Sequence, residues 1–418
     1  MINKIIADQP NGLTINSSND TWILEKGFKI SDDGEFALFE TSDASSNAFN
    51  IKGTVENLAH SAAGFDGTNT VLKITADGVV DGAYAGAIFA GAGADIVNNG
   101  SVSGGSVGFQ FNAKGFDLTN NASITGGSQS VEVENAGGGR IVNGEDGVIS
   151  SDISAIFVDN KGYQQTTIVN HGEMQGGNFS IYTTAGREHV TNTGVIGGNV
   201  FLGGSDDVLD SRGGGIVGDI DLGGGNDRVD LRERSLVPVD PADEGLVFGG
   251  AGDDTFIIDD AAIKIVEGKN TGNDTVKSTA SVTLSDYVET LQLLGKEDID
   301  GAGNSGFNIL KGNAGDNHLN GKAGSDILDG GRGDDVLTGG ADGDTFVFAK
   351  NGGHDRITDF ASLADSVDLS AFDVASFAAL KNQHMQDVGD NLVISFGDDV
   401  LTLKDMHIAD IVKDDFVL

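Results

Sequence analysis

Short apolar runs that lead into asparagine and glycine recur along the first 245 residues. The asparagines after these runs are 22, 23, 27 and 22 residues apart, and they are Asn98, Asn120, Asn143, Asn170 and Asn192. A short strand, a polar turn and a second short strand at this interval match one coil of a three-sided parallel β-helix. We therefore expect the five asparagines to stack in one turn, where asparagine tolerates a left-handed backbone and its amide can bond to the coil above.

A tighter pattern occupies residues 312–348, which read GNAGDNHLN, GKAGSDILD, GGRGDDVLT and GGADGDTFVF. Position eight of each nine-residue unit is apolar and position six is acidic or amide: Leu319, Leu328, Leu337 and Phe346 at position eight, and Asn317, Asp326, Asp335 and Asp344 at position six. A glycine-rich turn and a three-residue strand per unit, with two units per coil, predict a parallel β-roll. Position eight then points inward and stacks along the roll.

The composition fits such coils and adds a large negative charge. Glycine contributes 64 residues and proline only 3. This composition suits tight turns, which need positive φ, and paired strands, in which proline would remove hydrogen-bond donors. A net charge of −39, from 64 acidic and 25 basic residues, argues against electrostatic binding to nucleic acid or to an anionic membrane. The sequence has no cysteine, so disulfides cannot cross-link it, and bound metal is the expected alternative.

The turns concentrate carboxylate and carbonyl oxygens, which favour calcium over magnesium when the geometry is flexible. We therefore expect several calcium ions. The predicted metal-binding positions are Gly249, Gly250, Gly252 and Asp254 in an upstream unit, Gly312, Gly315, Gly321, Gly324, Asp326, Gly330, Gly331, Gly333, Asp335, Gly339, Gly340 and Asp344 in the central four units, and Asp355 in a closing unit. Looser copies make Asp207, Asp227 and Asp274 weaker candidates.

Residues 249–257 and 312–347 resemble the RTX, or haemolysin-type, calcium-binding repeat family, whose pattern is GGxGxDxUx with U a large apolar residue. The resemblance implies a parallel β-roll in which aspartates and glycine-loop carbonyls hold calcium between successive turns. The sequence departs from the pattern at Asn317, which replaces an aspartate, and at Asp342, which replaces a third glycine. We therefore expect the first ion site to be weak or absent.

The 22-residue repeats look like autotransporter-type passenger repeats. The expected fold class is therefore all-β: a right-handed β-helix followed by a C-terminal calcium-binding parallel β-roll with a capping and secretion segment. The predicted domains are an N-terminal cap (1–50), the β-helix (51–245), the RTX β-roll (246–360) and a C-terminal cap with a type I secretion signal (361–418). One short helix is predicted within residues 374–385.

The last residues, Asp414 to Leu418, read DDFVL and resemble the uncleaved signal that type I transporters recognise. The implied partner is a type I secretion apparatus that binds the C-terminus, and the implied location is extracellular, with the cell surface included. We expect no Sec-type signal peptide in residues 1–20, because they contain no apolar core segment. No apolar run approaches 18 residues, so we expect no transmembrane segment.

Sequence motifs for catalysis are weak. None of the seven histidines forms HExxH, which argues against a zinc protease. One GxSxG match, residues 104–108, lies among asparagine, serine and glycine without the following helix that a nucleophile elbow needs. A polysaccharide-active site could use charged residues of the β-helix, and the candidates are Asp152, Asp159, Glu173, Arg187 and Glu188. We interpret them as residues of a solvated face.

Three functions remain open for the exported product. The first is a non-enzymatic calcium-binding protein of the cell surface, matrix or host interface, with an extracellular polysaccharide or a cell surface as candidate partner. The second is a bacteriocin or toxin-like protein, since the size and layout are similar to RTX proteins of the rhizobiocin type. The third is a polysaccharide-active enzyme that uses the β-helix face. We favour the first, because the sequence shows no catalytic constellation.

Overall fold

The computed structural model describes residues 1–5, 7–134, 138–159, 164–233 and 245–418. Strands take up 49% of the chain and helices 3%, in β-solenoid coils that number about 16, which confirms the all-β fold class. Contacts divide the chain into two units, Met1–Gly249 and Gly250–Leu418. The predicted domain limits at residues 50, 245 and 360 stay predictions, and residues 234–244 of the predicted β-helix lie outside the described residues.

The first unit consists of three parallel sheets. The first sheet contains Ile2–Ile5, Thr21–Leu24, Ala48–Ile51, Val71–Ile74, Asp95–Asn98, Asp117–Asn120, Arg140–Asn143, Gln165–Asn170, Arg187–Asn192, Val208–Asp210 and Arg228–Asp230. The second contains Lys29–Asp32, Thr54–Asn57, Val79–Gly82, Ser101–Gly104, Ser123–Gly126, Val148–Ser151, Glu173–Gly176, Val195–Ile196 and Gly215–Ile216. The third contains Leu13–Ile15, Phe36–Glu40, Ser61–Phe65, Ala85–Phe89, Val107–Phe111, Gln129–Glu134, Ser154–Asp159, Phe179–Thr183, Asn199–Phe201, Ile220–Asp221 and Leu246–Phe248.

Residues 1–50, predicted to form a separate cap, already contribute strands to these sheets. The strand Ile2–Ile5 pairs in parallel with Thr21–Leu24, which pairs in turn with Ala48–Ile51. Parallel strand pairing therefore extends through the residues of the predicted cap. Trp22 lies in one of these strands and is partly buried.

Apolar side chains of equivalent residues stack inside the first unit. Ile96, Leu118, Ile141, Ile168 and Val190 occupy matching register positions in five consecutive coils, and each has 0% of its surface exposed. Full burial of such a side chain contributes about 1.5–3 kcal/mol. The three-sided coil therefore encloses a continuous hydrophobic core.

The five predicted asparagines form a buried ladder at the end of the first sheet. Each Nδ2 donates to the Oδ1 of the next asparagine, at 2.8, 2.8, 2.9 and 2.9 Å from Asn98 to Asn192. Asn192 then donates to the Ser211 hydroxyl at 2.9 Å. The predicted stacking and amide ladder are confirmed. The expected left-handed backbone was wrong, because the asparagines are the last residues of extended strands and do not adopt positive φ.

The second unit contains two sheets of a flatter coil. One sheet contains Thr255–Ile258, Thr275–Ser278, Thr290–Leu293, Ile309–Lys311, Ile327–Asp329, Thr345–Val347, Ser366–Asp368 and Phe416–Val417. The other contains Val282–Thr283, Gly301–Ala302, His318–Ala323, Val336–Ala341, His354–Ile357, Met385–Val388, Asn391–Phe396 and Asp399–Leu403, of which the last three pair antiparallel with one another. Lys264–Val266 is a further strand, and Ser370–Phe372 and Lys413–Asp415 are 3₁₀ turns.

Position eight of the nonapeptides points inward in both sheets. Leu328 pairs with Phe346, and Leu319 pairs with Leu337, and each of the four is at most 1% exposed. This confirms the coil of two units per turn. The predicted helix is also confirmed at Phe377–Gln383, where the Ser376 hydroxyl caps its first turn. Among the described residues, no helix is long and apolar enough to cross a membrane.

Breaking the amide ladder should destabilise the first unit. We expect Asn143→Ala to lower the free energy of unfolding by at least about 2 kcal/mol, because Asn143 donates to Asn170, Gly147 and Glu173 and its loss leaves buried partners unsatisfied. Urea unfolding followed by circular dichroism measures this change. The control Asn121→Ala removes an exposed amide that bonds to Asn99 at 2.9 Å, and it should change stability by less than about 0.5 kcal/mol. Equal effects of the two variants would contradict the ladder's role.

A buried carboxyl on the third sheet should make the first unit pH-sensitive. Burial, and secondly the charge of Glu134, raises the pKa of Glu132 from 4.5 to about 7. The stabilising contribution of the neutral acid is complete below pH 4.5 and is lost as the pH rises through about 7. Glu132→Gln should therefore stabilise the protein by about 1–3 kcal/mol at pH 8 and by little at pH 4, measured by urea unfolding in excess calcium. The exposed control Glu173→Gln should show no such pH-dependent gain.

Candidate metal centre

Each acidic position six of the roll is tied to the coil before it. Oδ1 of Asp326 accepts the N–H of Asn308 at 2.7 Å, and Oδ1 of Asp344 accepts the N–H of Asp326 at 2.8 Å. On the other side of the coil, Oδ1 of Asp335 accepts the N–H of Asn317 at 2.8 Å. Each of these bonds joins residues 18 apart, which is one coil. The stacking of coils therefore places one position-six side chain above the next.

The second oxygen of these carboxylates is buried without a hydrogen-bond partner. This holds for Oδ2 of Asp326, Asp335 and Asp344, whose side chains are at most 2% exposed. An ionised carboxylate can only accept hydrogen bonds, and a buried polar group without a partner costs about 1–3 kcal/mol, more when it is charged. The stack therefore needs a cation or a proton at each of these oxygens.

Burial makes the stacked carboxylates harder to ionise when no cation neutralises them. Burial, together with the charge of Asp344, raises the pKa of Asp326 to about 7. Burial, together with the charge of Asp355, raises the pKa of Asp335 to about 7. Burial likewise raises the pKa of Asp344 and of Asp355 to about 6. Asp355 continues the stack, because it accepts the N–H of Asp335 at 3.1 Å.

The glycines at position one make room for the partnerless oxygens. A methyl group placed on Gly321, Gly330 or Gly339 would overlap Oδ2 of the aspartate in the same unit. Gly312 is equally confined, because a methyl group there would overlap the Gly330 carbonyl. Side chains at these positions would occupy the space in which an ion would contact the carboxylate.

The other predicted glycines shape the turns. Positive φ occurs at Gly250, Gly252, Gly324, Gly331, Gly333 and Gly340. Gly249 is buried, and Gly315 packs against the Glu297 carbonyl, 2.6 Å from where its Cβ would lie. Asp342, which stands where the repeat pattern has glycine, keeps a positive φ of 76°, so its loop preserves the turn geometry.

Two asparagines interrupt the row of carboxylates. Nδ2 of Asn317 donates to the Ile299 carbonyl at 2.7 Å, and Nδ2 of Asn308 donates to the Val288 carbonyl at 2.9 Å. An amide N–H therefore bonds to the neighbouring coil where an aspartate would present a partnerless oxygen. This gives a physical reason for the expectation that the Asn317 site is weak or absent. The unit with Asn308, GNSGFNILK at residues 303–311, was missed by sequence reasoning, although its spacing matches the repeat.

Peptide N–H groups also replace the cation at the downstream end. Oδ1 of Asp365 accepts the N–H of Asp344 at 2.9 Å, and its Oδ2 accepts the N–H of Ala361 at 2.7 Å. Asp415 is fully buried and accepts the N–H of Leu363 at 2.9 Å. The row of partnerless carboxylate oxygens therefore ends before the C-terminal strand.

Upstream carboxylates follow the same arrangement. Asp254 donates its N–H to Oδ1 of Asp274 at 2.9 Å, and the side chain of Glu267 joins this pair. Sequence reasoning missed Glu267, because it lies outside the nonapeptide phase. In the first unit, Asp207 accepts the N–H of Glu188 and donates its own to Asp227, both at 2.6 Å. Burial raises the pKa of Asp207 to about 9.

The charged residues considered for catalysis differ in exposure and partners, and the predicted solvated face is wrong for Glu188, which is 1% exposed. Arg187 is exposed and pairs with Asp206 at 3.0 Å, whereas Glu188 is buried and accepts the Thr183 hydroxyl at 2.9 Å. Asp159 accepts the Thr184 hydroxyl, and Glu173 is exposed on the second sheet. The GxSxG segment connects the strands Ser101–Gly104 and Val107–Phe111, so it is not followed by the helix of a nucleophile elbow.

Comparison with known proteins identifies the repeats. The family model of the RTX calcium-binding nonapeptide repeat (4 copies) matches residues 302–337 and 311–346, so the chain carries RTX repeats and the predicted resemblance is confirmed. No curated protein matches the chain. The solution structure of the AlgE6R3 subunit of the Azotobacter vinelandii mannuronan C5-epimerase is similar at 30% identity, over 29% of this chain and 80% of that chain, with a TM-score of 0.25. The extracellular lipase LipA of Serratia marcescens is similar at 19% identity, over 56% of this chain and 40% of that chain, with a TM-score of 0.27.

Filling the space beside one carboxylate should weaken calcium binding. We expect Gly330→Ala to raise the calcium concentration needed to fold the roll by at least about fivefold, because overpacking costs about 1–3 kcal/mol and the new methyl group overlaps Oδ2 of Asp335. Calcium titration followed by circular dichroism gives this midpoint. Gly306→Ala is the control, since the nearest atom to its added methyl group is 3.4 Å away. If both variants had the same midpoint, the space beside Asp335 would have no role in binding.

Proposed function

We propose that this protein is an exported RTX protein whose second unit folds when it binds extracellular calcium. The observation that carries the proposal is the row of buried Oδ2 atoms of Asp326, Asp335 and Asp344, none of which has a hydrogen-bond partner. Carboxylate and loop carbonyl oxygens are the ligands that calcium prefers. The residues present therefore fit calcium, which would neutralise the row and join successive coils.

Folding of the second unit is then tied to the calcium concentration. Without calcium, stacked carboxylates must lose solvent and approach one another, which opposes the folded coil. Because the sites do not exist in the unfolded chain, the free energy of binding becomes free energy of folding. Extracellular calcium modules bind at roughly 10⁻⁴–10⁻³ M, so such a switch would act outside the cell and not in the cytosol.

The position of the C-terminal residues supports export before folding. Phe416 is 7% exposed and pairs with Val367, while Asp415 is fully buried. A transporter that recognises the side chains of Asp415 and Phe416 would reach them only in the unfolded chain, since Val417 and Leu418 alone of the last four residues stay exposed. We therefore propose that the type I secretion apparatus binds the C-terminus in the cytosol, and that calcium-dependent folding buries Asp415 and Phe416 after export.

For the exported product we propose a non-enzymatic role at a cell surface, matrix or host interface. The first unit offers a surface for such contacts, because the rings of Phe157, Tyr182 and Phe201 stack on the third sheet with centroids 5.7 and 5.0 Å apart and are only partly buried. Aromatic side chains are enriched at protein interfaces. Binding of the folded protein to cells or polysaccharide without turnover would support this role, and calcium-dependent turnover would contradict it.

Removing three carboxylates should abolish the calcium response of the second unit. We expect wild type to gain β-sheet circular dichroism steeply with calcium, and Asp326→Asn/Asp335→Asn/Asp344→Asn to lose the gain or to shift it at least tenfold higher in calcium. Each substitution removes a buried negative oxygen that calcium would contact. Magnesium should not replace calcium.

A charge-matched triple variant controls for the lower net charge. Asp373→Asn/Asp390→Asn/Asp398→Asn changes three exposed aspartates of the second unit and should respond to calcium like wild type. The calcium hypothesis would be wrong if wild type gave the same folded spectrum in magnesium or without metal.

A further inference from the structure

Three acidic side chains meet near the start of the second unit, upstream of the residues that match the RTX family model. One carboxylate oxygen each from Asp254, Glu267 and Asp274 can be chosen so that all three lie within 4.8 Å of one another. The described part of the chain contains no other group of three acidic, histidine or cysteine side chains that comes this close. Ordinary nonapeptide stacking brings Asp254 and Asp274 together, but Glu267 is an addition to it.

The local chain path explains how Glu267 reaches the pair. Asp254 and Asp274 are 20 residues apart and stacked, since the N–H of Asp254 donates to Oδ1 of Asp274. Glu267 directly follows the strand Lys264–Val266, and its Oε2 accepts the Thr271 hydroxyl at 3.3 Å. The Thr271 carbonyl in turn accepts the N–H of Gly252 at 2.7 Å. These bonds hold the loop of Glu267 against the stacked pair.

Two oxygens in this group are buried and lack partners. Oδ2 of Asp274, a residue with 0% exposure, and Oε1 of Glu267, a residue with 9% exposure, accept no hydrogen bond. Burial, and then the charges of Asp274 and Asp254, raises the pKa of Glu267 to about 8. Buried like charges at this distance repel one another unless a cation or protons neutralise them.

We propose that Asp254, Glu267 and Asp274 form a calcium site of their own, distinct from the nonapeptide sites because it has a third carboxylate. Calcium suits the donors, since its oxygen ligands lie at about 2.3–2.6 Å and ligand atoms on opposite sides of one ion can be nearly 5 Å apart. Ligand charge tunes calcium affinity, so three carboxylates make this site bind more tightly than a site with two. This site fills first as the calcium concentration rises, and its three ligands join the first coils of the second unit around one ion.

The test counts ions and measures the tightest binding step in the full-length protein. Calcium alone is titrated into chelator-treated protein, with isothermal titration calorimetry for affinity and native mass spectrometry for stoichiometry. We expect Glu267→Gln to weaken the tightest step by at least about tenfold and to remove one ion at low calcium, because it deletes one charge while keeping the side-chain length. The control Glu297→Gln, an exposed glutamate of the same unit, should behave as wild type.

This site rests on the proposed calcium binding of the roll, and further variants separate it from the sites at Asp326, Asp335 and Asp344. The triple asparagine variant of Asp326, Asp335 and Asp344 should keep the tightest step and lose later ones. If Glu267→Gln does not fold, Glu267→Asp, which keeps the charge, should restore binding in part. Equal ion counts and affinities for Glu267→Gln and Glu297→Gln would overturn the site. If the triple variant lost only the later ions, the proposal that Asp326, Asp335 and Asp344 bind calcium would still stand.

Discussion

The hydrogen bond between a position-six carboxylate and the N–H of the coil before it is the contact on which the roll depends. It uses one carboxylate oxygen and aims the whole group into the stack, as Asp326 and Asp344 show at 2.8 Å. The other oxygen then lies inside, where water does not reach it and no donor is supplied. Where position six is aspartate, as at Asp326, Asp335 and Asp344, stacking a coil also buries a negative oxygen that must be neutralised.

The first unit solves the same stacking problem with a different side chain. An asparagine amide both donates and accepts, so the ladder from Asn98 to Asn192 satisfies itself without an ion. Aspartate lacks the donor and needs a cation in its place. Asn308 and Asn317 place the same uncharged amide group in the roll, where their Nδ2 atoms donate to neighbouring carbonyls. The choice of amide or acid at one stacked position therefore decides whether a coil carries a buried carboxylate oxygen without a partner, which is the feature that the proposed calcium binding would neutralise.

Periodic features were the ones that sequence reasoning could predict. The spacing of Asn98 to Asn192 and of the nonapeptides located the ladder, the inward position eight and the row of aspartates, because a fixed repeat length leaves few ways to stack a chain. Glu267 could not be found in this way, since its carboxylate arrives from a loop that is out of phase with the repeat. The strands of residues 1–50 carry no recurring motif, yet their backbone pairs with the next coils in the same manner.

The downstream end of the roll differs from the repeats in how its buried acids are neutralised. Downstream, Asp365 and Asp415 are buried acids like those of the repeats, but backbone N–H groups of Ala361 and Leu363 bond to their oxygens. Such donors come only from loops that turn back over the stack, and a regular repeat has none to spare. The repeating coils must therefore obtain positive charge from solution, whereas the terminal segment obtains its donors from the folded chain. Because those donors come from the last coils, the proposed calcium-dependent folding of the repeats would have to precede the docking of the C-terminal strand.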